Sequence, residues 1–147
     1  MFRLTQQIDA ATERLPDTVR RLSDGDVRES SRLPGWTRGH VLTHVARIGD
    51  AMCNLLTWAR TGIETPAYES QEARDADIEA GAGRTAADLL ADVVTTAVAF
   101  RAAAGTLPGS GWHYPVRVLG SVEFPAGQVL VRRAKIESLG KCVNAGC

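Results

Sequence analysis

Apolar side chains recur at three- and four-residue intervals along most of the chain, the spacing of helices that each bury one stripe. Residues 2 to about 23 carry Phe2, Leu4, Ile8, Ala11, Leu15, Val19 and Leu22 in this pattern, and Pro16 predicts a kink. The run Ser23-Asp24-Gly25-Asp26 ends that helix, and residues 30 to 37 read as a turn in which Pro34-Gly35 breaks the chain and Thr37 caps the next helix. This second helix is predicted from about Arg38 to Arg60, buried through Val41, Val45, Ile48, Met52, Leu55 and Ala59 and stopped by Gly62. A polar loop leads to a short acidic helix over about Gln71 to Ala80. Thr85 then caps a third long helix, with Leu89, Leu90, Val93, Ala97 and Phe100 on its inner face. The stretch Leu107-Pro108-Gly109-Ser110-Gly111 ends it. Residues 112 to 124 are β-prone, enough for a small hairpin and too short for a sheet domain. Pro125-Ala126 opens a last helix through about Leu139. The predicted fold is all-α, a four-helix bundle with a short β-hairpin before the last helix. Residues 1–140 form the bundle domain, and 141–147 form an atypical C-terminal tail.

Composition narrows the function classes. The chain of 147 residues, 44% hydrophobic, suits one domain with a real core, and its formal net charge of zero argues against a nucleic-acid surface. No run of about 18 apolar residues occurs, so no membrane partner is expected. Residues 1 to 7 lack the apolar core of a secretory signal, which makes the cytoplasm the expected compartment. Three cysteines, Cys53, Cys142 and Cys147, do not make a disulfide framework, and Cys53 reads as a core thiol. All 15 basic residues through Arg133 are arginines, whereas Lys135, Lys141 and two of the three cysteines fall in the last 13 residues.

The candidate chemistry centres on histidine. His40 and His44, four apart on the second helix, project from nearly the same face, a spacing that holds one metal ion or serves a hydrogen-bonded structural role. A zinc site of the catalytic kind needs about three protein ligands. The last helix offers one carboxylate, Glu137, and no histidine; His113 falls in a loop. No Walker loop, dinucleotide fingerprint or nucleophile elbow occurs. Gly81-Ala82-Gly83-Arg84 resembles a phosphate loop only superficially. Glu72, Asp75, Asp77 and Glu79 with Arg74 read as a solvated helix face, and Trp36, Trp58 and Trp112 as core or rim anchors.

Three stretches together resemble one family. They are Leu33-Pro34-Gly35-Trp36-Thr37-Arg38-Gly39-His40-Val41-Leu42-Thr43-His44, then Asn54-Leu55-Leu56-Thr57-Trp58-Ala59-Arg60-Thr61-Gly62, then Glu64-Thr65-Pro66-Ala67-Tyr68 with the acidic helix after it. In these the chain is similar to the N-terminal domain of mycothiol-dependent maleylpyruvate isomerases, of the DinB-like superfamily. The resemblance implies a divalent metal, usually zinc, held by the second histidine of the pair and by a Glu and a His four apart on the last helix. It also implies mycothiol as thiol cofactor and a small organic acid as substrate. In the isomerases the thiolate adds to the cis double bond, which then rotates before elimination; relatives use the site for thiol transfer.

Carried over residue by residue, His44 matches the first metal ligand and Glu137 the second, but position 141 is a lysine. An alignment anchored on Arg132 and Arg133 instead puts Lys135 and Leu139 at the ligand positions. With that histidine and the isomerases' second domain missing, the activity is expected to be impaired or diverged. The tail is expected to be exposed, with Cys142 able to stand in as a ligand only if Gly140 ends the helix. Two alternatives stay open, a non-catalytic binding module and a protein presenting its tail thiols, and a homodimer is allowed.

Overall fold

The computed structural model describes residue 6 and residues 14–143, the side chains of Glu137 and Ser138 excepted. Helix α1 is described over residues 14–20, Pro16 among them; residues 7–13 lie outside the described residues, and with them the helix direction before Pro16 on which the expected kink depends. The remaining helices are α2 (Asp24–Arg28), α3 (Arg38–Thr61), α4 (Gln71–Ala82), α5 (Ala86–Thr106) and α6 (Gln128–Glu137). Single turns of 3-10 helix occupy Gly109–His113 and Ser138–Cys142. The predicted hairpin is present as two short antiparallel strands, β1 (Pro115–Val116) and β2 (Phe124–Pro125), with Val116 opposite Phe124.

Local chemistry sets these boundaries. The Thr37 hydroxyl accepts from the N–H of His40 to cap α3, and Gly62 closes that helix at φ 73°. Thr85 caps α5 in the same way. The run at Ser23 does more than end α1. Ser23 and Asp26 form a capping box that starts α2, an extra turn the apolar spacing did not announce.

The bundle is built on α3, which packs against α4, α5 and α6. Two apolar clusters share it. One gathers Leu15, Val19, Val27, Val41, Leu42, Val45 and Val93; the other gathers Met52, Leu55, Phe100, Val116, Phe124 and Val129. Cys53 packs on the second cluster as expected, and burial pushes its thiol up, with Asp50 adding to the effect. Helix α5 has the length and composition of a membrane span. Its Leu89, Val93, Ala97 and Phe100 are nevertheless buried in the bundle, and its Asp92 pairs with Arg47 and Arg84.

The end of the chain departs from expectation. Where composition suggested an exposed tail, the turn after α6 is docked: Val143 is fully buried, and Leu139 and Cys142 pack on the first cluster. The Arg32 N–H donates to the Cys142 carbonyl at 3.4 Å. Gly140 lies so close to Leu15 that a Cβ would come within 3.1 Å of it. Apolar burial fixes this segment in spite of its lysine and cysteine content. Residues 144–147, including Cys147, lie outside the described residues.

The crossing of α3 and α4 is the tightest contact relevant to function. A Cβ at Gly39 would collide with the Ala82 carbonyl, and one at Gly81 with the Thr43 side chain. Gly39→Ala is therefore expected to cost about 2 kcal/mol, in the range of overpacked cores. Thermal unfolding checks this against Gly109→Ala, where a Cβ meets open space; equal melting temperatures would contradict it.

Candidate functional site

The closeness of α3 and α4 brings two pairs of polar side chains together in antiparallel order. His40 meets Glu79, and one turn on His44 meets Arg74. The His40 Nδ1 accepts from the Thr37 N–H at 3.1 Å, and its Nε2–H donates to Glu79 Oε1 at 3.1 Å. Both ring nitrogens are thereby engaged, and His40 serves the start of α3 as the third residue of its capping box. Of the two readings of the histidine pair, His40 is thus placed in the hydrogen-bonded structural role.

His44 is set deeper. An Arg guanidinium only donates, so the 3.2 Å contact between Arg74 Nη2 and His44 Nδ1 makes Nδ1 the acceptor and leaves the ring proton on Nε2. Trp36 presents to this ring edge-on at 5.1 Å between centroids and stacks over His40 at 6.2 Å. Burial holds the His44 imidazole well below its usual value, at about 4, and the Arg74 charge adds to the effect. Arg74 also sits 5.9 Å from the centre of the Tyr68 ring, and burial pushes the Tyr68 hydroxyl up. The run from Glu72 to Glu79 is thus only in part the solvated face it resembled, since Arg74 and Glu79 turn to the histidines.

His44, Tyr68 and Arg74 form one corner of a cavity of about 360 Å³. Ile48, Met52, Leu55 and Val129 make its apolar wall, and Val118 reaches it from the hairpin. From α6 come Arg132, Lys135 and Ile136. Arg132 is exposed, with its guanidinium 4.1 Å from the centre of the Phe124 ring. His113 is exposed on the 3-10 turn before the hairpin. The glycine run at 81–83 is structural: Arg84 donates to the Gly81 carbonyl at 2.9 Å and to Asp92 at 2.9 Å.

The described residues do not by themselves make up the zinc set that the resemblance implies. Among the described residues no three His, Cys, Asp or Glu side chains converge. A neutral imidazole has one lone pair to give a metal, and that of His44 faces a guanidinium. The α6 wall supplies two cations and an isoleucine. Glu137 ends α6, and its side chain lies outside the described residues.

Comparison with known proteins agrees with the architecture. The family model for the mycothiol maleylpyruvate isomerase N-terminal domain matches residues 8–135. A crystal structure of the mycothiol-dependent maleylpyruvate isomerase superposes with a TM-score of 0.92 at 29% identity, over 99% of this chain and 60% of that one. A histidine-to-alanine mutant of the mycothiol-dependent maleylpyruvate isomerase superposes at 0.91 with 28% identity, over 97% and 60%. No curated protein sequence matches. This fold is that of a DinB-like helical bundle. The chain belongs to the mycothiol maleylpyruvate isomerase N-terminal domain family, and it spans 60% of the length of the solved isomerase.

The depressed His44 value has a pH consequence. An unfolded imidazole takes up its proton near 6.5, whereas the folded one does so only near 4. Across that window the unfolded state binds more protons, so stability falls as pH drops from about 6.5 to 4. After discounting for the part of the ring that solvent reaches, the loss is roughly 2 kcal/mol. Denaturant unfolding at pH 7 and pH 4.5 is expected to show it in the wild type and to show a smaller drop in His44→Gln. Equal drops would contradict the assignment.

Proposed function

We propose that this domain binds a small-molecule thiol of the mycothiol kind, together with a small organic acid, in the His44 cavity, and supports thiol-dependent isomerisation or thiol transfer in a form diverged from that of the isomerases. The observation that carries this reading is the cavity itself: it has apolar walls, one polar corner and cations from α6, in a member of this family. Thiol addition to an activated double bond builds negative charge on the acid, and groups that donate hydrogen bonds toward that charge favour the step. In this chain they are the His44 Nε2–H, the Arg74 guanidinium and the Tyr68 hydroxyl.

A metal held by His44 and Glu137 is the competing chemistry, and it requires Arg74 to release the His44 lone pair. The docked Cys142, half-buried against the core, makes a poor presented thiol. A cytoplasmic setting is part of the same proposal.

Val118→Trp fills the cavity from the hairpin and spares the helix contacts. Mycothiol titrated calorimetrically into the wild type is expected to bind, and into Val118→Trp at least about tenfold more weakly, the scale of losing one well-packed contact surface. Equal affinity for the two proteins would place any thiol site elsewhere.

A further inference from the structure

We propose that the cavity is a metal-independent anion site, in which the fixed positive charges of Arg74, Arg132 and Lys135 stand where a bound cation would otherwise act, and that it takes an organic anion with an apolar body. The inference deepens the thiol-site reading and rests on the same cavity.

Three observations support it. Among the described side chains that line the cavity the charged ones are Arg74, Arg132 and Lys135, all basic; Arg74 also pairs through Nη1 with Asp75 at 2.6 Å, outside the lining, and turns Nη2 to His44. The arrangement is graded: Arg74 is largely buried beside His44, while Arg132 and Lys135 are exposed on α6, so the charge runs from surface to corner. The His44 ring is held with Nδ1 accepting from Arg74, so the face it can offer a ligand is a donor, Nε2–H, which suits an anion and repels a cation. The apolar walls at Ile48, Met52, Leu55 and Val129 then require that the anion carry hydrocarbon. Sulfate or phosphate would leave that surface unmatched.

Benzoate and its neutral isostere benzamide are suitable probes, titrated by amide chemical shift in buffer containing EDTA. Benzoate is expected to bind, moving the signals of Val118 and Ile136, and benzamide at least about fivefold more weakly. Arg74→Gln is expected to weaken benzoate about tenfold, and Arg74→Lys to restore most of that. Because Arg74 also supports the α3–α4 contact, the exposed double variant Arg132→Gln with Lys135→Gln gives a second test on a surface that tolerates change. There about a threefold loss is expected.

Equal binding of benzoate and benzamide would overturn the proposal, as would benzoate binding that vanishes in EDTA and returns with zinc, or a double variant that binds as the wild type does. Mycothiol separates the two readings. Benzoate binding that mycothiol fails to displace keeps the anion site and removes the thiol reading. Mycothiol binding without benzoate binding does the reverse.

Discussion

The close approach of α3 and α4 at Gly39 and Gly81 is the constraint on which the site depends. Two helices that touch backbone to side chain at that point must run near one another for the next turns. Those are the turns that carry His40 and His44 on one side and Glu79 and Arg74 on the other. With bulkier residues at the crossing, α4 would stand off, Arg74 would extend into water, and His44 would border an open groove. The two glycines thus act on function through geometry alone. They contribute no chemistry, but they determine which group faces the imidazole.

That group is a guanidinium, and it sets the electrostatics of the cavity. A half-buried neutral histidine with its lone pair committed is a hydrogen-bond donor from its other nitrogen, and the charged side chains that line its cavity among the described residues are basic. The bundle therefore keeps the layout of a family whose name carries a thiol and an isomerisation, while its cavity wall has the charge pattern of an anion receptor. Fold and family define the bundle that encloses the cavity. The proposed choice of ligand rests on the side chains at its corner, which is why membership alone does not define the activity.

Much of this was legible in the sequence. The three long helices after α1, their caps at Thr37 and Thr85, the stop at Gly62 and the hairpin before α6 follow from apolar spacing and a few capping residues. His44 stood out because it lies four residues from His40 beside a buried stripe. Arg74 did not, because an arginine among Glu72, Asp75, Asp77 and Glu79 has the composition of a solvated face. Only the depth of the α4 packing turns it inward. The pair Gly39 and Gly81 was the available signal, but glycines 42 positions apart do not show that they meet. Helix α2 was hidden because its one buried residue, Val27, gives no periodicity. The docked turn at 138–143 was hidden because lysine, glycine and cysteine there suggest a loose end, whereas Leu139 and Val143 anchor it. The Glu137 side chain lies outside the described residues, so the ligand pair of His44 and Glu137 rests on the sequence.

The central claim is that Arg74 holds the Nδ1 lone pair of His44. The most direct measurement is the pair of imidazole nitrogen-15 chemical shifts of His44 at neutral pH, recorded with and without one equivalent of zinc. The predicted result is a protonated Nε2 and an unprotonated, hydrogen-bonded Nδ1 whose shifts zinc leaves in place and Arg74→Gln moves. A proton on Nδ1, or a zinc-induced shift of Nε2 in the wild type, would contradict it.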